Sequence, residues 1–357
     1  PISFQEARVG KGWRNLVFGG TKKESLLKHC FFQGGRGAYY LYVVDGKLEE
    51  EPTLKKNHTP VGGGILVIES ENLKLVDCRF RGNHSYAGGG AYLYRSKVEL
   101  LSCKFFDNKA SYRGGALFTM KSRVNIQKCR FEGNQSQNRA GALALVASSG
   151  KVDNNLFLGN KAFEGGGVYF QDDGTDFLDN KIQKNRATRG GGAFLYQSKA
   201  HLLKNYFKNN TALLGGGLFV EAGKPLIEEN SFIENQAKQN GGGFFCKGSK
   251  AFFLKNHFEK NTALGAGGGG YTLEDLSNFG ANHFVENQSK SYGGGIFFHS
   301  LKGGSFVENE LFRNRAPKGG GGYSFWPRKP LSSGTLAREN TPNNFMVAKD
   351  FGELQRR

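Results

Sequence analysis

Proline is scarce in this chain, with 8 residues among 357. Glycine is abundant at 53 residues but does not recur at every third position, so the sequence is neither collagen nor a Pro-rich disordered chain. No run of about 18 apolar residues occurs, which excludes an obvious membrane-spanning helix. Pro1 to Arg8 lack the basic-then-apolar pattern of a signal peptide. A chain that opens without Met is expected to be a processed product or a fragment. Carboxylates are in deficit, 31 Asp plus Glu against 49 Lys plus Arg. The surface should therefore attract anionic partners such as acidic polysaccharide, lipopolysaccharide, nucleic acid or an acidic protein face. There is no Cys/His set at zinc spacing, no phosphate loop and no calcium-binding nonapeptide, so neither metal nor cofactor is expected.

What the sequence does contain is a period of about 25 residues. Phe-x-x-Asn recurs at Phe80/Asn83, Phe105/Asn108, Phe131/Asn134, Phe157/Asn160, Phe207/Asn210, Phe232/Asn235, Phe258/Asn261 and Phe284/Asn287. Weaker copies at Ile182/Asn185 and Leu311/Asn314 keep the register, and each copy is followed by a glycine run such as Gly165 to Gly167 or Gly215 to Gly217. Between these marks lie short alternating segments, such as Ala91 to Tyr94 and Val98 to Leu100, that read as half-buried strands. No stretch has helical periodicity, which excludes a helical repeat. Three strands per repeat, bent at polar turns, predict a single-stranded, right-handed parallel β-helix. It is an all-β solenoid of about eleven coils of about 25 residues, spaced ~4.8 Å apart.

A second column supports stacking. Two residues before each Phe stand Cys78, Cys103 and Cys129, then Asn155, Asn180, Asn205, Asn230, Asn256, Asn282 and Asn309. An inward Asn at a sharp bend hydrogen-bonds the same Asn in the coils above and below, so the column predicts an asparagine ladder, with small Cys filling the slot in the early coils. Stacked cysteines ~4.8 Å apart with parallel side chains are too distant at Cβ for a relaxed disulfide. Cys30, Cys78, Cys103, Cys129 and Cys246 are therefore read as free thiols.

The pairing of Phe-x-x-Asn with Gly-Gly followed by Ala, Ile, Val or Leu resembles the repeat of the chlamydial polymorphic outer-membrane proteins and related bacterial β-helix passengers, over about residues 52 to 325. The resemblance implies a surface-exposed right-handed β-helix serving in adhesion or as a structural shaft. No C-terminal membrane barrel follows the repeat, so a detached passenger, or a protein that borrows the repeat, is expected.

The predicted organisation is an N-terminal cap over 1–28, with Trp13 and Phe18 as plugs, a β-helix over 29–325, and a C-terminal cap or extended arm over 326–357. The stretch from Asp45 to Pro60 is expected to loop out. In the strand after the glycines, Leu93, Phe118, Phe170, Leu195, Val220, Cys246 and Phe298 are assigned inward. Tyr94, Thr119, Gln171, Tyr196, Glu221, Lys247 and His299 are assigned outward. The same parity sends Tyr92, Leu117, Leu143, Tyr169, Phe194, Phe219, Phe245, Tyr271, Phe297 and Tyr323 outward, as an exposed aromatic face on which a partner binds, unless the rings simply stack on themselves.

Arg79, Lys104 and Arg130 fall in one column and are the expected anionic contact. Other basic residues are scattered through turns, so nucleic acid is not the expected partner. An enzyme is the competing class. Asp172 and Asp173 beside Gln171 faintly resemble a polygalacturonase string, and Tyr196, Glu221 and Lys247 lie in successive coils. Glu221 and Lys247 read better as a neutralising pair, and Asp172 with Asp173 as a solvated turn. The sequons at Asn57, Asn83, Asn134, Asn209 and Asn287 mostly coincide with the repeat's turn. The expectation is a non-enzymatic structural or adhesive protein, extracellular or on a cell or virion surface, whose aromatic strand face or C-terminal arm contacts an assembly partner or an acidic polysaccharide. The alternative is a polysaccharide-binding or polysaccharide-degrading protein of the tail-spike or lyase kind.

Overall fold

The computed structural model describes residues 2–4, 15–20, 22, 24–37, 41–44, 47–50, 60–300, 302–325 and 333–348. Among them every helix or strand is a strand. The chain divides into two units, Pro1–Asn180 and Lys181–Arg357, each a stack of parallel coils. In the first unit the first strands are Leu16–Gly19, Ile65–Ile68, Ala91–Tyr94, Leu117–Met120, Leu143–Val146 and Val168–Gln171, each paired in parallel with the next. The third strands Cys30–Gln33, Arg79–Arg81, Lys104–Phe106, Arg130–Glu132 and Leu156–Leu158 do the same. The second unit repeats the plan, its first strands running from Ala193–Tyr196 through Leu218–Glu221, Phe244–Lys247, Gly270–Leu273 and Ile296–His299.

Each coil turns three corners, and most of the described corners use the same device. One residue takes a left-handed φ, as at Arg95 (45°), Ser102 (55°) and Asp107 (55°) in a single coil, a strained conformation for a side chain with a Cβ. The next residue points inward and ties the corner to its neighbours. At the corner between second and third strands, the Asn155 N–H and Nδ2 both donate to Asn180 Oδ1, at 2.9 and 3.0 Å, while Nδ2 also reaches Ile126 O at 2.9 Å. Asn205, Asn230, Asn256, Asn282 and Asn309 continue the same file within the second unit. In the early coils the thiol supplies only the donor, Cys103 Sγ reaching Leu75 O at 3.3 Å. The Cys129 N–H finds a side-chain acceptor, Asn155 Oδ1 at 2.8 Å, where the asparagines begin. All five cysteines are free and buried.

Two further ladders hold the other corners. The motif Asn itself is buried, with Asn134 Nδ2 donating to Asn160 Oδ1 at 3.0 Å and to Phe105 O at 2.9 Å. At the corner after the first strand, the Ser70, Ser96 and Ser122 N–H groups each donate to the Oγ of the next serine in the file, ending on Ser148. The motif rings fill the interior as a continuous stack. Phe32, Phe80, Phe105, Phe131 and Phe157 have neighbouring centroids 4.8, 4.5, 4.9 and 4.8 Å apart.

Several boundaries move. Leu16–Gly19 and Ser25–Lys28 already pair in register with the next coil, so the helical stack includes residues assigned to the cap, with Phe18 half-buried in a strand; Trp13 lies outside the described residues. Leu41–Val44 and Lys47–Glu50 pair as an antiparallel ribbon, while 45–46 and 51–59 of the stretch expected to loop out lie outside the described residues. The predicted C-terminal arm includes a further coil. Leu336–Arg338 pairs with the strand at 310–312, Phe345–Ala348 with the strand at 322–325, and Asn340 extends the inner ladder by accepting from the Asn314 N–H at 2.9 Å.

Candidate functional site

The aromatic column is in register, but it is not exposed. Tyr92 pairs with Phe118, then Ala144 and Tyr169, in the first unit. Phe194, Phe219, Phe245, Tyr271, Phe297 and Tyr323 follow in the second. Phe118 therefore belongs to this column and Thr119 to the inward one. Leu117 and Leu143 lie one place off, because the glycine runs before them are shorter. The rings of Tyr92, Tyr169, Phe194, Phe219, Phe245, Tyr271 and Phe297 are all at most 7% exposed, which overturns the expected apolar strip. They stack on one another, Phe194 to Phe219 at 4.9 Å and Phe219 to Phe245 at 4.8 Å. Residues just before the glycine runs fold over them. The Arg139 guanidinium lies 5.0 Å from the Tyr169 ring centre and Arg189 lies 5.3 Å from that of Phe194, while Tyr292 packs on Phe297 at 5.8 Å. These cations over ring faces close the surface that a partner would need.

The proposed acid–base candidates are likewise engaged. Tyr196, Glu221 and Lys247 stand in file, but Glu221 Oε1 accepts from Lys247 at 3.0 Å and Oε2 from Arg189 at 3.4 Å. The oxygens that a general base would use are occupied. Gln171 Oε1 accepts from Arg139 at 3.3 Å, and His299 Nδ1 lies 2.6 Å from the Tyr271 hydroxyl.

Asp172 and Asp173 differ from the solvated turn expected of them. Asp172 is the exposed left-handed residue of its corner, whereas Asp173 is 1% exposed and occupies the serine-ladder slot, accepting from the Thr175 N–H at 2.8 Å. Burial pushes the Asp173 carboxyl up to about 6, against the lowering effect of its bonds to Thr175 and Ser148. Asp275 fills the same slot in the second unit, where burial also raises it and the Ser249 N–H donates to it at 2.8 Å. The folded state therefore keeps a proton on Asp173 that the unfolded chain releases near pH 4, so stability falls as pH rises from about 4 to 6 and the penalty persists above. Asp173→Asn is expected to remove one proton's worth of that dependence and to stabilise the first unit by up to about 3 kcal/mol at pH 8, with no gain at pH 4. Urea unfolding of both proteins at the two pH values measures it.

The third-strand face of the first unit has the opposite character. Arg79, Lys104 and Arg130 are direct register partners. Arg79 and its neighbour Arg81 are exposed, and Lys104 and Arg130 are half-buried. Arg130 bonds Glu132 at 2.8 Å, whereas Arg79, Arg81 and Lys104 have no carboxylate partner among the described residues. Half-buried aromatic rings adjoin them, Phe31 at the end of the column and Phe106 in the column beside it. Phe106 lies 6.0 Å below the Arg79 guanidinium, and Phe31 pairs with Arg79 in register. Two hollows open on either side of Arg79. One, of about 540 Å³, is lined by His29, Phe31, Asp77 and Lys104, with Cys30 and Cys78 at its base; the other, of about 370 Å³, is lined by Arg81, Phe106, Asp107 and Glu132.

The family model described as right handed beta helix region matches residues 17–177, 51–212 and 166–329. The chain belongs to the right-handed β-helix family. No curated protein and no solved structure gives a match. The β-helix is thus assigned by its coils and by the family, and the family accommodates structural and polysaccharide-related proteins alike. Among the described residues of this β-helix, no three His, Cys, Asp or Glu side chains are placed to hold a metal, and no helix is long and apolar enough to cross a membrane. The sequon asparagines Asn83, Asn134 and Asn287 are fully buried with their amides committed to the ladder, which withholds them from glycosylation in the folded state; Asn209 is partly exposed.

Proposed function

We propose that this β-helix is a non-enzymatic, surface-displayed binding protein that holds an acidic polysaccharide against the third-strand face of its first unit. The observation that carries the reading is the column of Arg79, Lys104 and Arg130, flanked by Arg81 and Phe106 and preceded in file by Phe31. Cations one strand spacing apart present a charge row to a chain of acidic sugars, and half-exposed rings offer the apolar faces on which sugar C–H groups pack. Among the described residues no carboxylate pairs with Arg79, Arg81 or Lys104, so their field is available to a ligand. The adhesive role and the extracellular setting belong to the same proposal, supported by the likeness of the repeat to the polymorphic outer-membrane proteins. The burial of the aromatic column favours the third strands over the first as the face that binds.

Lys104→Glu is expected to weaken binding of polygalacturonate by roughly ten-fold or more, since it replaces an attraction by a repulsion at the centre of the row. Neutral dextran should not bind either protein. Equal affinity of wild type and variant for polygalacturonate removes the site. Release of reducing or unsaturated sugars, abolished by Glu221→Ala or Lys247→Ala, removes the non-enzymatic reading.

A further inference from the structure

We propose a second anion site in the first unit, at the corner between first and second strands, that takes a phosphate monoester carried on a sugar. It lies on a different face from the polysaccharide row, depends on different residues and selects a different anion.

The site begins in the sequence. At this corner the residue before the ladder serine and the residue after it are both basic in two successive coils, Arg95 and Lys97 around Ser96, then Lys121 and Arg123 around Ser122. The coils on either side place Glu69 and Glu71, then Ala147 and Ser149, at the same positions. Ser96 and Ser122 point inward as ladder rungs, bonded at 3.1 Å, so the basic residue on each side of them is turned to solvent. All four cations are exposed, and Lys97 and Arg123 are direct register partners. Arg95 and Lys121 sit on left-handed backbone, with φ of 45° and 50°, which fixes where their side chains leave the corner.

The four line one hollow of about 440 Å³, with Glu71 and Asn72 on its rim. Arg95 meets Glu69 at 3.4 Å. Lys97, Lys121 and Arg123 have no ion-pair partner among the described residues. Lys97 and Arg123 also wall an adjoining hollow of about 540 Å³. Its floor is open because Ser149 and Gly174 replace the long side chains of the preceding coils, and the Asn125 and Gln127 side chains line it. Glu99 and Asp176 stand at its margins, with Lys151 held by Asp153 at 3.0 Å. The first hollow thus offers charge and the second offers amides and room for a sugar.

Four cations around one centre call for a ligand with more than one charge and several acceptors. A carboxylate brings one charge and two oxygens in a plane. A phosphate monoester brings a charge of about −2 and three terminal oxygens, which two guanidinium forks and two ammonium groups match.

Full-length protein titrated with glucose 6-phosphate, and separately with inorganic phosphate and inorganic sulfate, tests the site by calorimetry and by amide shifts. Saturable binding of glucose 6-phosphate is expected at millimolar concentration or below. Arg123→Glu should weaken it roughly ten-fold or more, and Arg123→Gln by less. Lys104→Glu should leave it unchanged, so failure of the polysaccharide row and failure of this site are read separately. Affinity for the phosphate ester should fall on going below pH 6, where the ester takes up a proton, while affinity for sulfate should not. Unfolding temperatures within a few degrees of wild type certify that the variants fold. Absence of saturable phosphate binding overturns the proposal, as does affinity unaffected by Arg123→Glu. Tighter binding of free phosphate than of the sugar ester would leave the adjoining hollow without its assigned role and overturn the sugar part.

Discussion

Asn134→Ala is expected to destabilise the first unit by about 3–5 kcal/mol, several times the effect of an exposed asparagine in the same unit such as Asn72. The reason is the number of groups that one amide serves. Asn134 Oδ1 accepts from both the N–H and the Nδ2 of Asn108, each at 3.0 Å, and Asn134 Nδ2 donates to Phe105 O at 2.9 Å and to Asn160 Oδ1 at 3.0 Å. Alanine abandons all four partners at a site with no exposed surface, and buried polar groups left unpaired carry the full desolvation penalty. The corner turns at Gly133, whose φ of 66° glycine adopts without a Cβ clash. Chemical denaturation followed by far-UV circular dichroism measures the change. A loss below about 1 kcal/mol would show that the rung is satisfied some other way.

Phe131→Ala should cost a similar amount, about 3–5 kcal/mol. Phe131 is fully buried, with ring neighbours at 4.9 Å on one side and 4.8 Å on the other, nearly coplanar at 8° and 4°. Removing it leaves a cavity that the coils cannot close, because their spacing is fixed by backbone hydrogen bonds at every strand. The neighbouring rings lose stacking as well as burial. Phe131→Leu keeps most of the volume and should cost no more than about 1.5 kcal/mol. Similar losses for Leu and Ala would mean that ring stacking, not volume, dominates the core.

Much of this fold could be read from residue spacing alone, because in a solenoid like residues recur only where they lie over one another. The Phe and Cys/Asn columns were legible for that reason, and the Asn155 and Asn180 rungs sit in vertical file. The serine ladder at Ser70, Ser96 and Ser122 escaped notice because serine is common in turns and Asp173 and Asp275 interrupt it. The motif Asn reads in the sequence as a turn residue, although its column is as regular as the other.

Parity failed where the glycine run shortened before Leu117 and Leu143, since one missing glycine shifts the assignments within that strand by one place, while the strands from Tyr169 onward stay in register. Burial of the aromatic column could not be read from alternation, because the cover comes from Arg139, Arg189 and Tyr292, whose reach depends on how the corner folds back. The basic column of Arg79, Lys104 and Arg130 was legible from its spacing. The rings of Phe31 and Phe106 beside it were not, because the outward positions of that strand have no fixed residue type.

The row's role in binding is tested most directly by titrating polygalacturonate into wild type and into a variant carrying Arg79→Ser, Lys104→Ser and Arg130→Ser together, at low and at physiological salt. Wild-type affinity is predicted to fall steeply with salt, and the variant to bind weakly with a shallower dependence, since three positive charges facing the ligand are gone. The same affinity and the same salt dependence in both proteins would contradict the assignment of this face as the binding surface.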